Sequence, residues 1–289
     1  MHTPIIFIIF NRPDTTQRVF EAIRRAKPRK LIVIADGPRQ DKEGEKEKCE
    51  ETRNITNQID WDCEVIRDYS AINLGCKKRV SSGITSAFKL TDRAIILEDD
   101  CLPDQSFFQF CEEMLEKYKD NESVMSITGD NFLFDKMSMI KESYYFSKYS
   151  NIWGWATWKR AWDKYDLNMQ AWPEAQKQKL FQRSWTKRLE EAYAGKIDTW
   201  DIQWVFSCII NNGLTIIPNV NLISNIGFST EATHTKVKTI VTEMKTEKMI
   251  FPLSHPNAII ANEKADKISQ FHFTRLGLIV DLIKLYLKK

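Results

Sequence analysis

A short apolar run followed at once by three carboxylates constrains the fold of this chain most strongly. Residues 94–97 are Ala, Ile, Ile and Leu, and Glu98, Asp99 and Asp100 follow them directly. Such a run is typical of a buried strand, and ligands bind beyond the carboxyl ends of strands in open α/β sheets. Adjacent carboxylates repel one another, and a hard cation relieves that repulsion. The pattern predicts a metal–diphosphate site, with a solvated acidic turn as the alternative.

The bulk composition is that of a globular protein with a sizeable core. The chain has 289 residues, of which 43% are hydrophobic and 28% are charged, so it suits one large α/β domain or two small ones. The net charge of +3 is too small to indicate nucleic-acid binding. The six cysteines form no CxxC pair, which favours a reduced, cytoplasmic protein. The apolar run Ile5–Phe10 is too short for a signal peptide or a membrane span.

Apolar runs alternate with amphipathic segments through the first hundred residues. The sequence predicts strands at 5–10, 31–35, 63–67 and 94–97, with helices between them. This alternation predicts an α/β fold with a doubly wound, mostly parallel sheet and flanking helices. Because polar residues end each strand, Arg12, Asp36 and the acidic triplet Glu98–Asp100 are expected to share one edge of that sheet. Neither GxGxxG nor GxxxxGK[ST] follows a strand, which argues against dinucleotide-binding and P-loop folds.

Aromatic residues dominate the second half of the chain. Eight of the nine tryptophans lie between Trp153 and Trp204. Such rings can build a core or the wall of a sugar pocket, and we expect most to be core and a minority to line an acceptor-side pocket. Asp198 and Asp201 precede an apolar helix predicted at 204–210, where either carboxylate suits the N-cap.

The order of these motifs resembles the nucleotide-diphospho-sugar transferases of the GT-A fold, and the N-acetylglucosaminyltransferase I family in particular. The likeness spans residues 5 to 235 as scattered motifs, and it extends to bacterial glycosyltransferases that build surface polysaccharides. The matching motifs are Asn11-Arg12 after the first strand, Asp36 after the second, the acidic triplet after the fourth, and Trp153-Gly154-Trp155 followed by Trp200-Asp201.

The resemblance implies a role for each of these residues at a nucleotide-sugar donor. Asp100 would bind Mn²⁺ or Mg²⁺, Arg12 would contact the diphosphate, and Asp36 would hydrogen-bond uracil. Asp99 would face the ribose or a metal-bound water, and Glu98 the donor sugar. The other residues assigned to the donor side are Asn11, Gly37, Trp155 and His234.

The implied reaction is an inverting transfer of a sugar, GlcNAc by resemblance, from a UDP-sugar to a glycan acceptor hydroxyl. Asp201 would be the general base, with Asp198 as its rival. A sugar nucleotidylyltransferase is one alternative, although such enzymes carry a Gly-rich loop where this chain has Asn11-Arg12-Pro13-Asp14. A non-catalytic carbohydrate-binding protein is another, although it would need no acidic triplet.

The predicted organisation is a single GT-A domain with a tail. Residues 1–105 form the nucleotide-sugar-binding half, 106–240 the acceptor and catalytic half, and 241–289 the tail. From residue 273 the tail is amphipathic and basic, so it either docks on the domain or contacts the inner face of a membrane. The expected partners are a UDP-sugar and a glycan acceptor, and not a nucleic acid.

Overall fold

Ten strands form the framework of this chain. The computed structural model describes residues 1–181, 183–227 and 244–272, together with 274, 277 and 280. The strands of the main sheet are β1 (Ile5–Ile9), β2 (Lys30–Ala35), β3 (Glu64–Tyr69), β4 (Arg93–Glu98), β6 (Val124–Thr128), β7 (Tyr144–Ser147), β8 (Trp155–Trp158) and β9 (Leu214–Pro218). Two short strands, β5 (Cys101–Pro103) and β10 (Ile223–Asn225), pair antiparallel as a separate ribbon. The order in the main sheet is β3-β2-β1-β4-β8-β6-β9-β7.

Helices connect these strands and cover the sheet. They are α1 (Pro13–Ala26), α2 (Glu45–Ile55), α3 (Cys76–Ala87), α4 (Gln105–Lys117), α5 (Lys159–Trp162), α6 (Trp172–Lys177), α7 (Arg183–Tyr193), α8 (Asp201–Ile210) and α9 (Glu263–Phe271), with a 3₁₀ helix at Phe134–Met139. Pro13 opens α1, where its missing N–H costs nothing. Arg12 occupies the cap position of this helix and makes no side-chain cap bond.

The sheet is buried on both faces. Along β1, Ile5 and Phe7 pack with helix α1 on one face, while Ile6 and Ile8 pack with helix α3 on the other. Strand β1 is parallel to β2 and β4, and β2 is parallel to β3. Beyond β4 the sheet is mixed, because β8 runs antiparallel to both β4 and β6. The predicted α/β fold with a doubly wound, mostly parallel sheet and flanking helices is therefore confirmed.

The strand order of the main sheet reverses at β1, and in open α/β sheets such a reversal leaves a crevice beyond the ends of the two diverging strands. The chain passes from β1 to β2 and β3 on one side of β1, and then returns as β4 on the other side. Ligands bind at such switch points, beyond the carboxyl ends of the two strands. Ile8 of β1 pairs with Glu98 of β4, so the chain after each strand opens into this crevice. Strand β10 pairs with β5 and brings residues 225–227 to the same place.

The tryptophan-rich segment forms mainly core. Six of its eight tryptophans are buried, namely Trp155, Trp158, Trp162, Trp172, Trp200 and Trp204. The Trp155 ring stacks on Trp200 at 5.5 Å between centroids and lies equally close to Trp204. Trp155 is 0% exposed, so it offers no surface to a ligand. The prediction that Trp155 contacts the donor is therefore wrong, because its ring is needed to fill the space between β8 and α8.

Two predicted features lie outside the described residues. They are His234 and nearly all of the amphipathic tail from residue 273. Among the helices that the structure does describe, none is long and apolar enough to span a bilayer. All six cysteines are free thiols, and only Cys63 and Cys76 are partly exposed. The two predicted halves contribute four strands each to the main sheet, and they meet at the β4–β8 pair.

Candidate functional site

The acidic triplet lies in the crevice at the end of β4. The carboxylate of Asp99 accepts the backbone N–H of Phe10 at 3.0 Å, which ties the triplet to the end of β1. Burial, together with the charges of Asp100 and Asp99, raises the pKa of Glu98 well above its usual range. Burial and the Asp100 charge also raise the pKa of Asp99, to about 7. Full ionisation of the triplet is therefore costly unless a cation lies beside it.

Arg12 supplies one positive charge to this cluster. Its Nη1 donates to Oδ2 of Asp100 at 2.7 Å and lies 3.7 Å from Oδ1 of Asp99. Burial opposes the guanidinium charge, but the charges of Asp99 and Asp100 outweigh that effect and raise the pKa of Arg12. The expected meeting of Arg12 with the triplet is thus present. The sequence predicted only that Arg12 and the triplet share one edge of the sheet. In the structure the guanidinium contacts the carboxylates directly.

A returning segment closes one side of Asp100. The backbone N–H of Ile226 donates to the Asp100 carbonyl oxygen at 2.8 Å. A Cβ atom at Gly227 would lie 2.2 Å from Oδ2 of Asp100, so only glycine fits against this carboxylate. Gly227 carried no sequence signal for this site, because no local pattern links it to a turn far earlier in the chain.

Asp201 is the first residue of α8. Its carboxylate accepts a hydrogen bond from the hydroxyl of Thr199. Burial is the main cause of the raised pKa values of Glu98 and Cys76, and the negative charge of Asp201 adds to both. The candidate base is therefore close to Glu98, and Cys76 is a neighbour that carried no sequence signal.

Asp198 has a different partner. Its Oδ2 accepts the N–H of Cys76 at 3.0 Å and its Oδ1 accepts the N–H of Lys77 at 3.1 Å. The carboxylate thus satisfies two of the unpaired N–H groups that open a helix. Asp198 does cap a helix, but the helix is α3 rather than α8. This engagement favours Asp201 over Asp198 as the base.

The Asp36 carboxylate at the end of β2 binds the backbone of the residues that precede α3. Its Oδ1 accepts the N–H groups of Gly37 and Leu74, both at 2.9 Å, and its Oδ2 accepts that of Gly75 at 3.0 Å. The side chain is buried, and burial raises its pKa in spite of these hydrogen bonds. Nearly all of its acceptor capacity is therefore used by backbone. These bonds give Asp36 a structural role in the loop, and its contact with uracil stays a prediction.

Gly37 and Asn11 also have structural partners. A Cβ atom at Gly37 would lie 2.4 Å from the carbonyl carbon of Ile72, so glycine lets the two loops approach. Asn11 donates from Nδ2 to Oε1 of Glu45 at 2.9 Å, and Glu45 also pairs with Arg39. Both residues lie at the expected edge of the sheet, where they order the loops that follow β1 and β2.

Removing the Asp36 carboxylate is expected to destabilise the fold. Asp36→Ala should lower the free energy of unfolding by about 1–3 kcal/mol, since buried N–H groups lose their acceptor. Urea denaturation followed by circular dichroism measures this loss. Asp41→Ala, which removes an exposed carboxylate from the next loop, is the control. Unchanged stability together with a lost preference for uridine nucleotides would instead support the recognition role.

The triplet should make stability depend on pH in metal-free protein. Because the pKa of Asp99 is raised from 3.8 to about 7, the native state binds more protons than the unfolded state between those values. Stability should therefore fall as pH rises through that window. The difference in urea midpoint between wild type and Asp99→Asn, measured at several pH values, isolates this effect. The same pH slope in both proteins would contradict it.

The donor set suits a hard divalent cation that binds together with phosphates. One carboxylate oxygen, Oε1 of Glu98, is buried and has no partner among the described residues. Within that same part of the chain, no three His, Cys, Asp or Glu side chains are grouped as ligands. Mg²⁺ characteristically binds through one or two carboxylates, substrate phosphates and water. The triplet therefore fits such a cation in its chemistry, and the Asp100 side chain is more exposed than that of Asp99.

The comparisons with known proteins show only loose similarity. No protein-family model matches the sequence, and no curated protein matches it. An active-site mutant of LgtC aligns over 92% of this chain and 95% of its own, with a TM-score of 0.41 and 10% identity. The mannosyltransferase PcManGT from Pyrobaculum calidifontis, solved with GDP-Man and Mn²⁺, aligns over 54% of this chain, with a TM-score of 0.38 and 11% identity.

A nucleotidyltransferase is also among the similar structures. UDP-glucose pyrophosphorylase complexed with UDP-glucose aligns over 75% of this chain and 90% of its own, with a TM-score of 0.37 and 10% identity. The alignment with the mannosyltransferase spans only 45% of that chain. Since all three TM-scores lie below 0.5, a function for this chain has to be argued from its own site.

Proposed function

We propose that this chain is a metal-dependent, inverting glycosyltransferase that uses a nucleotide-diphospho-sugar. The observation that carries the proposal is the crevice between β1 and β4. Arg12 and Asp100 are bonded there at 2.7 Å, and Asp201 is close enough for its charge to raise the pKa of Glu98. A candidate base and the groups proposed to bind the diphosphate are thus near the same acidic triplet, which supports the proposal.

Arg12 is the residue proposed to hold the diphosphate. Its guanidinium carries a permanent charge and donates in a planar geometry that matches phosphate oxygens. A divalent cation at Asp100 would neutralise the leaving diphosphate as a Lewis acid. A cation held by Asp100 would supply positive charge to the triplet in place of Arg12, so the Arg12 guanidinium would be available to bind the phosphates. Glu98 and Asp99 are proposed to orient the donor sugar and the ribose.

Asp201 is the residue proposed to activate the acceptor. It would accept the proton of the acceptor hydroxyl while that oxygen attacks the anomeric carbon from the face opposite the diphosphate. The C–O bond to the diphosphate breaks as the new glycosidic bond forms, so the configuration inverts. The hydrogen bond from Thr199 orients the carboxylate for this transfer.

The finer points of the proposal come from the sequence resemblance. They are a UDP-sugar donor, with GlcNAc as the first candidate, a glycan acceptor of surface polysaccharide synthesis, and a cytoplasmic location. His234 belongs to the same proposal as a further donor or metal contact. A nucleotidylyltransferase is less well supported, because Asn11–Asp14 stand where those enzymes have a Gly-rich loop.

The direct test is release of nucleoside diphosphate from a panel of nucleotide-sugars, with and without Mn²⁺. The proposal expects Mn²⁺-dependent release from one donor, accelerated by an oligosaccharide acceptor. Formation of a nucleotide-sugar from a sugar phosphate and a nucleoside triphosphate would indicate the nucleotidylyltransferase instead. Glycan binding without turnover of any donor would indicate a carbohydrate-binding protein.

A further inference from the structure

Each residue from Asp198 to Asp201 makes a hydrogen bond or a ring contact that holds the segment in place. Asp198 accepts two N–H groups at the start of α3, and Thr199 donates to Asp201. The Trp200 ring stacks on Trp155, and its carbonyl oxygen accepts the hydroxyl of Tyr165 at 3.0 Å. The Asp198 hydrogen bonds join this segment to the half of the chain that contains β1 to β4 and the acidic triplet, and the Trp200 ring belongs to a buried cluster that includes Ile6 and Ile96 of that half.

Helix α3 is itself fixed to the edge of the sheet. Gly75, which precedes the helix, donates its N–H to Asp36 at 3.0 Å. Arg79 in the first turn donates from Nε to the carbonyl oxygen of Ala35 at 3.1 Å. The start of α3 is therefore held in place by the edge of the sheet, and a carboxylate bound to it is held in place as well.

We propose that Asp198 is a positioning residue that holds Asp201 at a fixed distance from the acidic triplet by binding the first turn of α3. This inference rests on the proposed function, since it gives Asp201 the role of base. Asp198 lies three positions before Asp201, and its two hydrogen bonds connect the acceptor-side segment with the donor-side crevice. Catalysis by a base requires its carboxylate to lie within about 3 Å of the acceptor hydroxyl.

The contact can be measured without any assay of activity. Cys76 donates its N–H to Asp198, and its thiol is one of only two that are not buried. In a Cys63→Ser background, neutral iodoacetamide should therefore label Cys76 before the buried cysteines, and slowly in the native protein, because burial and nearby carboxylates raise the pKa of its thiol. Release of Asp198 should fray the first turn of α3 and expose this thiol.

Two substitutions at Asp198 form a matched pair. Asp198→Asn and Asp198→Ala both remove the charge near the Cys76 thiol, but the asparagine oxygen can still accept from the helix. Labelling should be about tenfold faster in Asp198→Ala than in Asp198→Asn, because asparagine keeps an acceptor for one of the two helix N–H groups and alanine keeps none. Equal labelling rates in two folded variants, checked by circular dichroism, would overturn the contact.

The kinetic test separates positioning from donor binding. Asp198→Ala should lower kcat for transfer by about 10- to 100-fold, since displacement of a catalytic group by about 1 Å costs this much, and KM for the donor should change little. Asp198→Asn should restore most of kcat. A wild-type kcat in Asp198→Ala, despite faster labelling, would overturn the positioning role. Absence of transfer by the wild-type chain would overturn the proposed function and the role of Asp201, and the labelling difference would still report the contact.

Discussion

Replacing Asp201 by asparagine is expected to lower kcat for sugar transfer by about 10²–10⁴-fold, the contribution of a general base. Asparagine keeps the size of the side chain and an acceptor for the Thr199 hydroxyl, but it cannot take the proton of the acceptor. Donor affinity should stay close to the wild-type value, because the proposed diphosphate contacts are Arg12 and Asp100. Steady-state kinetics with a saturating acceptor, together with calorimetric titration of the donor, measure the two quantities separately.

The control for this substitution is Asp163→Asn. Asp163 is an exposed carboxylate that pairs with Lys159, beside α5 and away from the crevice. Its replacement should leave kcat unchanged. If Asp201→Asn retained near wild-type turnover, the proton would have to go to another group, and Asp201 would be only a residue of the first turn of α8.

Replacing Asp100 by asparagine should remove most of the metal-dependent donor binding. The substitution deletes the carboxylate proposed as metal ligand and also the partner that holds Arg12 at 2.7 Å. Since a bound cation contributes several kcal/mol at a diphosphate, donor affinity in the presence of Mn²⁺ should fall by about 10²-fold or more. Titration of the donor with and without Mn²⁺ shows whether the loss is specific to the metal.

Asp104→Asn is the matched control. Asp104 caps α4 by accepting the N–H of Ser106 at 2.8 Å, and asparagine caps a helix about as well as aspartate. Donor affinity should therefore be unchanged in this variant. Mn²⁺-dependent donor binding of wild-type strength in Asp100→Asn would exclude Asp100 as the metal ligand.

The sequence predicted the sheet and the place of the acidic triplet, because both depend on local patterns. Buried parallel strands are continuous apolar runs, as at Ile5–Ile9, and polar residues at their carboxyl ends meet at one edge whatever the details of the loops. Arg12 and the triplet were found in this way. Topology alone was sufficient to bring them together.

The functions assigned to Asp36, Asp198 and Trp155 could not be decided from the sequence. A carboxylate at the end of a strand has the same neighbours in the sequence whether it recognises a nucleotide base or accepts the backbone N–H groups of a loop. The difference lies in backbone N–H groups that approach from distant residues, such as Cys76 for Asp198. For Trp155, composition does not distinguish a core ring from a pocket wall, and its burial depends on the packing of α8 against β8.

Both halves of the chain contribute strands to the main sheet, and this limits where the chain can be cut into fragments that fold. Strand β4 carries the acidic triplet, and its residues Arg93–Ile96 pair with β8 from the second half of the chain. A fragment ending at residue 105 would present that edge of β4 unpaired, with its apolar faces uncovered, and such an edge promotes aggregation. The part of the chain up to residue 105 is therefore not a separable unit, and any exchange of this part between related proteins would have to include β8 and its tryptophans.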